Sequence, residues 1–277
     1  MMKRFLGISL LAMVIMGMMS CSAEYRTNAK YTRKGTLSQK DSAAFFYYRN
    51  GDYEKASFLF EELQPAYRGT GRAKDILYHY AYAKFNSGLY IVSSYQFDRY
   101  AKLFPADEKT PECTYMVAES FFRESAPSYL DQSFTKKAIE QYQLFINNYP
   151  DATQIGEANE RIKELRERLA KKEFDTAELY FDLENYKAAV SSFQTMMEEY
   201  PDSRYREEAQ LFLVRSAFQL AENSVQEKRK NRYLDAIDFY ERFVDAYPNS
   251  VFKKDAENTY LKIKKALGKL SANTTGK

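Results

Sequence analysis

The chain is poor in the side chains that carry most enzymatic chemistry. Its 277 residues include one histidine, His79, and two cysteines. A single histidine excludes histidine-rich zinc sites and leaves at most one base for a catalytic triad. The short stretch from Gly69 to Gly71 lacks the Gly-Lys-Ser/Thr that completes a phosphate-binding loop. We therefore predict no enzyme, no metal and no cofactor, with His79 a packed helix residue.

A strong excess of charge of one sign is also missing. Lys and Arg number 41 against 38 Asp and Glu, which gives a net charge of +3. A nearly neutral chain has no general electrostatic reason to bind nucleic acid. The basic run formed by Lys228, Arg229, Lys230 and Arg232 is interpreted as a solvated turn between two helices, or as a contact with lipid head groups.

Aromatic residues are abundant, with 24 Tyr and 20 Phe but no Trp, and they follow one register. Five small residues are each followed by an aromatic residue four and eleven positions later, and by a large residue seven positions later. These offsets lie on one face of a helix. In four of the five cases a proline stands twelve positions later and ends the helix. The small residues are Ala56, Ser93, Ala138, Ala189 and Ala236.

A second small residue stands twelve positions before the first, second and fourth of these, at Ala44, Ala81 and Ala177. Gly51, Gly88 or Asn185 then supplies a left-handed turn between two helices. This pattern resembles the tetratricopeptide repeat (TPR), a helix–turn–helix of about 34 residues. The resemblance implies an all-α fold, a right-handed helical solenoid of about five repeats.

The N-terminus predicts export. Lys3 and Arg4 precede an apolar run over residues 5–19, which ends in Ser20 and Cys21. The run is shorter than the roughly twenty residues of a membrane-spanning helix. It is typical of a signal peptide, residues 1–20, and the small residue before Cys21 resembles a lipobox, so Cys21 is predicted to carry a covalent lipid. An ordinary signal peptide with an incidental cysteine is the alternative.

The remaining segments follow from these assignments. Residues 21–37 are predicted as a flexible tether, 38–150 as repeats 1–3, 151–268 as repeats 4–5 and 269–277 as a disordered tail. Ser22 resembles the residue at this position in outer-membrane lipoproteins, so we expect a lipid anchor on the periplasmic face of the outer membrane. With Cys21 acylated, Cys113 is the only thiol and is predicted to be buried and inert.

The first two repeats contain more aromatic residues than one helix face can hold. Residues 45–48 are four consecutive aromatics, and Tyr78, Tyr80 and Tyr82 follow in the next repeat. Because four consecutive side chains point in different directions, we expect at least one to be exposed. They indicate either a groove for peptides or a cap that seals the first repeat.

Residues 168–174, 177–180 and 199–203 are similar to the long helix and fourth repeat of the BamD family of outer-membrane protein assembly factors. The resemblance implies a non-enzymatic subunit of the β-barrel assembly machine (BAM). It implies binding of BamA through repeats 4–5, near Tyr205, Arg206 and Lys230. It also implies other BAM subunits as partners, and capture of unfolded outer-membrane β-barrel proteins through their C-terminal segments, with Tyr47, Tyr78 and Tyr82 as candidates for the groove.

Two other functions fit the sequence less well. One is a different lipid-anchored TPR adaptor, for cell-wall synthesis or envelope tethering. The other is a glycan-binding lipoprotein, which would be expected to stack sugars on Trp, a residue that this chain lacks.

Overall fold

The computed structural model describes residues 23–275, with side chains over 23–270, and within that range all regular secondary structure is α-helical. The predicted all-α TPR fold is confirmed. Signal peptide residues 1–20 and the lipidation site Cys21 lie outside the described residues. The helices are α1 (23–34), α2 (Leu37–Arg49), α3 (Tyr53–Tyr67), α4 (Ala73–Asn86), α5 (Tyr90–Leu103), α6 (Thr110–Glu124), α7 (Ser133–Asn148), α8 (Ile155–Asp182), α9 (Tyr186–Glu199), α10 (Arg206–Glu222), α11 (Gln226–Ala246) and α12 (Lys253–Thr275).

We call the five small residues, with the aromatic and large residues that follow each of them, the aromatic ladder, and we number its positions from the small residue. The ladder forms the core, as its register predicts. All five small residues are fully buried, and so are four of the five aromatics four positions later, Tyr240 being half-buried. The aromatics at position eleven are half-buried at the helix ends. The large residues at position seven are all buried, namely Leu63, Tyr100, Phe145, Met196 and Phe243.

Helices α5, α9 and α11 are each followed by a proline and end in the same backbone conformation. Phe104, Tyr200 and Tyr247 have φ near −130° and ψ near +60°, outside the helical region. Each still donates its N–H to the carbonyl four residues earlier, at 2.9–3.0 Å. The proline that follows disfavours the helical conformation at these residues, so the helix stops at the predicted place.

The turns between paired helices agree with the prediction in two repeats and differ in the third. Gly51 and Gly88 adopt φ of +76° and +75°. In the fourth repeat the left-handed residue is Glu184, with φ of +58°, and not Asn185. Asn185 instead accepts a hydrogen bond from the N–H of Ala188 and caps α9. The prediction was wrong because asparagine suits both the left-handed turn position and the N-cap position, and here Asn185 is the N-cap.

The chain divides into two compact units. Unit 1 comprises the described residues up to 125 together with 140–158, and unit 2 comprises 126–139 together with 159–275. The boundary differs from the predicted one at 150, because the start of α7 belongs to unit 2 and its remainder to unit 1. Each unit contains its own part of the ladder.

The two predicted irregular segments are largely helical. Within the predicted tether, residues 23–34 form α1, which is fixed to unit 1 at Tyr25. The hydroxyl of Tyr25 donates to Asp52 at 2.6 Å, and its ring lies edge-on to Phe46 and Tyr47. At the other end α12 continues to Thr275, through most of the predicted disordered tail. Sequence reasoning missed α1 because few apolar residues mark its buried face.

Candidate functional site

None of the four consecutive aromatics is exposed, contrary to expectation. Phe46 and Tyr47 are buried, while Phe45 and Tyr48 are half-buried. The ring of Tyr25 on α1 covers one side of this cluster. On the other side Phe45 and Tyr48 pack against the ring of His79, at 4.7 and 5.0 Å between centroids. The rings therefore serve the core of repeat 1.

Tyr47 is consequently wrong as a groove residue, because 0% of its surface is exposed. Tyr78 and Tyr82 lie together, with ring centroids 4.9 Å apart. Both hydroxyls donate to the same carboxylate oxygen of Glu112, that of Tyr78 at 2.9 Å. Burial, then the bond to Glu112, raises the pKa of each phenol above its ordinary value. These half-buried tyrosines are neutral hydrogen-bond donors that are already engaged.

His79 and Cys113 have the inert roles that the sequence predicts. The Nδ1 atom of His79 lies 2.8 Å from the carbonyl oxygen of Asp75, within its own helix. Burial lowers the pKa of His79, so the ring is neutral at pH 7. Cys113 is fully buried, and burial raises the pKa of its thiol. The Cys113 thiol therefore stays protonated at pH 7, and the Nδ1 atom of His79 is engaged within its own helix.

An open groove of about 970 Å³ lies in unit 1 between α3 and α5, with α4 as its floor. We call it the α3–α5 groove. Leu77 and Tyr80 form part of the floor, and Leu103 and Phe104 line the wall from α5. The groove thus offers apolar surface along its length.

Two arginines add positive charge to this groove. Arg99 donates from Nη1 to the amide oxygens of Gln64, at 2.7 Å, and Gln96, at 3.4 Å. Both partners are neutral, and among the described residues neither Arg99 nor the exposed Arg68 forms an ion pair. The carboxylate of Glu61 is engaged by the Tyr80 hydroxyl at 3.2 Å. The groove can therefore take an anionic group next to an apolar side chain.

Unit 2 contains a groove at the same register between α9 and α11, of about 350 Å³. Each of its lining residues has a counterpart in the α3–α5 groove at the same distance from a ladder residue. Arg242 corresponds to Arg99, six positions after Ala236 and Ser93. The nine residues that line this α9–α11 groove are Gln194, Met197, Glu198, Pro201, Arg206, Gln210, Leu213, Phe239 and Arg242.

Both arginines of the second groove are engaged within the protein. Arg242 pairs with Asp238 of its own helix at 2.8 Å. Arg206 donates to the carbonyl oxygens of Pro201 and Met197, at 3.1 and 3.3 Å. Sequence reasoning missed both grooves, although one signal was present: arginine occurs at the sixth ladder position only in the second and fifth repeats.

The predicted partner-binding residues of repeats 4–5 do not form one cluster. Tyr205 and Arg206 lie at the start of α10, where the Tyr205 ring packs 5.7 Å from that of Phe174. Lys230 is exposed near the start of α11, just beyond the opposite end of α10. A helix of 17 residues is about 25 Å long, which separates the two ends.

The basic run is helical, although the sequence predicted a turn. It consists of Lys228, Arg229, Lys230 and Arg232. Its residues lie in the first two turns of α11, which begins at Gln226. Arg229 donates to the carbonyl oxygens of Glu222 and Ser224, at 2.9 and 2.8 Å, and so satisfies the free end of α10. The arginines of the run are thus structural, and Lys228 and Lys230 are the exposed cations.

The described residues contain no cluster of side chains that could hold a metal ion. No described helix combines the length and the apolar character that crossing a membrane requires.

Comparison with known proteins gives consistent relatives. A protein from Pasteurella multocida (strain Pm70), named outer membrane protein assembly factor BamD, is 22% identical over 182 residues, which cover 62% of this chain and 69% of that protein. The protein of the same name from Caulobacter vibrioides is 22% identical over 199 residues, covering 71% of this chain and 65% of that protein. The chain thus spans about two thirds of the length of these curated relatives.

Among solved structures, the TPR2AB domain of yeast Sti1 in complex with pHSP90 aligns with a TM-score of 0.39 and 15% identity, over 82% of this chain and 98% of that one. A tetratricopeptide-repeat model matches residues 216–250. The YfiO model, described as an outer membrane lipoprotein, matches residues 37–232, well over half of the sequence. The chain therefore belongs to the YfiO family of outer membrane lipoproteins, in which the BamD assembly factors are its relatives.

Proposed function

We propose that this chain is a non-enzymatic, lipid-anchored scaffold of the β-barrel assembly machine, acting on the periplasmic face of the outer membrane. Family membership and the names of the relatives support the role in outer-membrane protein assembly. The TPR match and the assembly-factor names of the relatives support a binding role over catalysis. The lipid on Cys21 is proposed from the sequence motif.

The α3–α5 groove is the proposed receptor for C-terminal segments of unfolded β-barrel proteins. Such a segment ends in an aromatic side chain beside a carboxylate. Leu77 and Leu103 would contact the ring, while Arg99 and Arg68 would bind the carboxylate. The observation that carries this proposal is the Arg99 guanidinium, which is held by two neutral amides beside an apolar floor.

Peptide binding tests this assignment. A fluorescent peptide that ends in Phe with a free carboxylate is titrated with the wild type and with Arg99→Gln. Loss of the charged contact is expected to weaken binding about tenfold, equivalent to about 1.4 kcal/mol. The same peptide with an amidated C-terminus should bind wild type about as weakly as the free peptide binds the variant.

Arg242→Gln is the matched control, because it changes the corresponding residue of the α9–α11 groove. Its affinity for the peptide should equal that of wild type. Equal losses in both variants, or none in either, would reject the α3–α5 groove as the receptor.

Repeats 4–5 are the proposed BamA-binding region, at the surface around Tyr205 and Arg206 or at Lys230. Because Tyr205 and Arg206 lie at the start of α10 and Lys230 lies in α11 beyond its other end, single variants distinguish the two surfaces. Tyr205→Ala and Lys230→Glu are compared for co-purification with BamA in mild detergent. Lys102→Glu on the exposed face of α5 is the control. Retention of BamA by every variant would exclude both surfaces.

Depletion distinguishes the assembly role from that of another lipid-anchored adaptor. Loss of an assembly scaffold should lower many outer-membrane β-barrels together. Loss of a cell-wall or tethering adaptor should leave them unchanged, and that result would contradict the proposal.

A further inference from the structure

Helix α1 has two chemically different faces. Tyr25, Asn28 and Thr32, spaced three and four residues apart, face unit 1, and Asn28 is buried there. Four exposed cationic side chains lie on the outer side, and the last three follow the first by four, seven and eight residues. They are Arg26, Lys30, Arg33 and Lys34, which we call the cationic face of α1.

The described residues do not neutralise this face. Between residues 23 and 37 the only acidic residue is Glu24. Among the ion pairs of the described residues, none involves the four cations. A helix that holds four unpaired cations on one side of a docked domain has no evident role in packing, so an anionic partner outside the chain is indicated.

The position of α1 indicates which partner. Cys21 precedes Tyr25 by four residues, and an extended chain spans at most about 3.5 Å per residue. The attachment point of a lipid on Cys21 would therefore lie within about 14 Å of the Tyr25 Cα atom. Because the Tyr25 hydroxyl is held by Asp52 at 2.6 Å, this end of unit 1 is kept near the anchor.

A second feature lies beside the same residue. Tyr25 shares a surface depression with the α2–α3 turn and with Asn86 and Ser87 of the α4–α5 turn. The segment that follows Ser87 exposes three aliphatic side chains, Leu89, Ile91 and Val92, by 48%, 53% and 40%. We call these three the aliphatic turn.

The aliphatic turn departs from the first and fourth repeats. At the equivalent positions the first repeat has Asp52, Glu54 and Lys55, and the fourth has Asn185, Lys187 and Ala188. Polar and charged side chains are usual where a turn faces water. Three exposed aliphatics at one such turn suit a boundary between water and hydrocarbon.

We propose that the cationic face of α1 and the aliphatic turn rest together on an anionic phospholipid surface. The cations contact phosphate groups, and the three aliphatic side chains enter the head-group boundary. Unit 1 is then oriented on the membrane by three contacts, counting the lipid of the proposed function, rather than suspended from a flexible tether. The protein contacts are independent of acylation, so they can be tested without it.

Vesicle binding of the mature chain with Cys21→Ser tests the proposal. The vesicles contain phosphatidylethanolamine with about one third phosphatidylglycerol, and a second set lacks the anionic lipid. The chain that carries only Cys21→Ser should co-sediment with the anionic vesicles and not with the others. The bound fraction should fall as the salt concentration rises. Replacing all four cations of α1 by Gln should reduce the partition coefficient at least tenfold.

A variant of α12 supplies the matched control. Lys254, Lys262, Lys265 and Lys269 are also exposed, so replacing them by Gln removes the same charge at another place. This variant should bind like the parent protein. Equal losses in the two quadruple variants would show a response to net charge alone, and would overturn the proposal. Thermal unfolding of both variants checks that the fold is kept.

Tryptophan fluorescence reports on the aliphatic turn, because the chain has no tryptophan of its own. Emission from Leu89→Trp should shift to the blue when anionic vesicles are added. Val251→Trp, at a residue that is 86% exposed in unit 2, should show no shift. An unshifted Leu89→Trp would refute the insertion of this turn.

The outcomes also separate this proposal from the proposed function. If the α1 variant binds vesicles normally but loses co-purification with BamA, the cationic face is a protein interface and the membrane contact is wrong. If it loses vesicles but retains BamA, the membrane contact stands apart from the assembly role. Failure of peptide binding at the α3–α5 groove would leave either result unchanged.

Discussion

Unit 1 and unit 2 bury the same ladder but differ in what surrounds it. At the seventh ladder position unit 1 has Leu63, Tyr100 and Phe145, and the Tyr100 hydroxyl donates to Asp107 at 2.7 Å, whereas unit 2 has Met196 and Phe243. At the fourth position Tyr142 of unit 1 donates to Glu119, also at 2.7 Å. Unit 1 therefore adds directional hydrogen bonds to the shared helix packing, one between α6 and α7 and one from α5 to the loop that follows it.

The core of unit 2 at the same positions is held by ring packing. Phe193 lies 5.7 Å from Phe174 and 5.5 Å from Phe212 between ring centroids. Burial of aromatic area is tolerant of small rotations, whereas a hydroxyl–carboxylate bond is not. The repeat pattern thus predicts which positions are buried, while the side chain at each position decides whether a hydrogen bond adds to the packing there.

The two grooves show the same principle on the surface. Arg99 and Arg242 occupy one register position, but only Arg242 has a carboxylate one helical turn away, at Asp238. Asp238 corresponds to Tyr95 in unit 1. A single substitution between repeats therefore leaves one arginine available for a ligand and commits the other to its own helix.

The largest effect is expected where the units are alike. Phe60→Ala in unit 1 and Phe193→Ala in unit 2 each remove a fully buried ring at the fourth ladder position. Each should lower the free energy of unfolding by about 3–5 kcal/mol, measured by urea denaturation. Phe58→Ala, two residues from Phe60 but 54% exposed, is the control and should change it by under about 0.5 kcal/mol. A ladder variant as mild as the control would contradict a shared core.

A smaller effect should separate the hydroxyls of unit 1 that are bonded from one that is not. Tyr100→Phe removes the bond to Asp107 and should destabilise the protein by about 1–2 kcal/mol. Tyr47→Phe removes a buried hydroxyl that has no hydrogen-bond partner among the described residues, so stability should be unchanged or slightly raised. Denaturation midpoints of the two variants are compared, and equal losses would show that the hydroxyl bonds do not matter.

The sequence was sufficient where the physical cause is local. Burial of Ala56 and Phe60 follows from helix spacing, and the ends at Phe104 and Tyr200 follow from the proline after each. These features need no knowledge of distant partners. The TPR fold could therefore be predicted from one chain.

Features that depend on distant partners could not. Tyr47 is buried because Tyr25 of α1 packs on it, and α1 has too little apolar periodicity to be recognised. The α3–α5 groove requires three helices in place before Arg99 meets Gln64, 35 residues away. Tyr47 was therefore wrong as a groove residue, and the α3–α5 groove was not recognised, although its arginine register was present in the sequence.

Substitutions at the left-handed turn position should change the free energy of unfolding by about 1 kcal/mol, in opposite directions in the two units. Gly51 and Glu184 hold the same left-handed turn position in units 1 and 2. A Cβ added at Gly51 meets nothing within 4 Å, so Gly51→Ala isolates the backbone strain and should destabilise by about 1 kcal/mol. Glu184→Gly should stabilise by roughly 0.5–1 kcal/mol, because it relieves the same strain. Loss of stability in both variants would mean that the Glu184 side chain contributes more than its strain.

The smallest effect concerns acid, at the ladder position that Asp107 occupies in unit 1. The Lys74 ammonium at 2.6 Å, then the Tyr100 hydroxyl, lowers the pKa of Asp107 from 3.8 to about 2. Since the folded pKa lies below the unfolded one, the stabilisation is complete above pH 4 and is lost as the pH falls towards 2. The equivalent residues of unit 2 are Ser203 and Ser250, which do not titrate in this range.

Asp107→Asn tests this difference through urea midpoints at several pH values. The loss relative to wild type should be under about 1 kcal/mol at pH 7, because solvent screens the partly exposed ion pair, and it should vanish near pH 2. Ser203→Ala is the control in unit 2, and its effect should not vary over the same range. If the Asp107→Asn difference were constant from pH 7 to pH 2, the hydrogen bond from Tyr100 and not the charge would be the source of stability, and the hydroxyls of unit 1 would act as neutral donors alone.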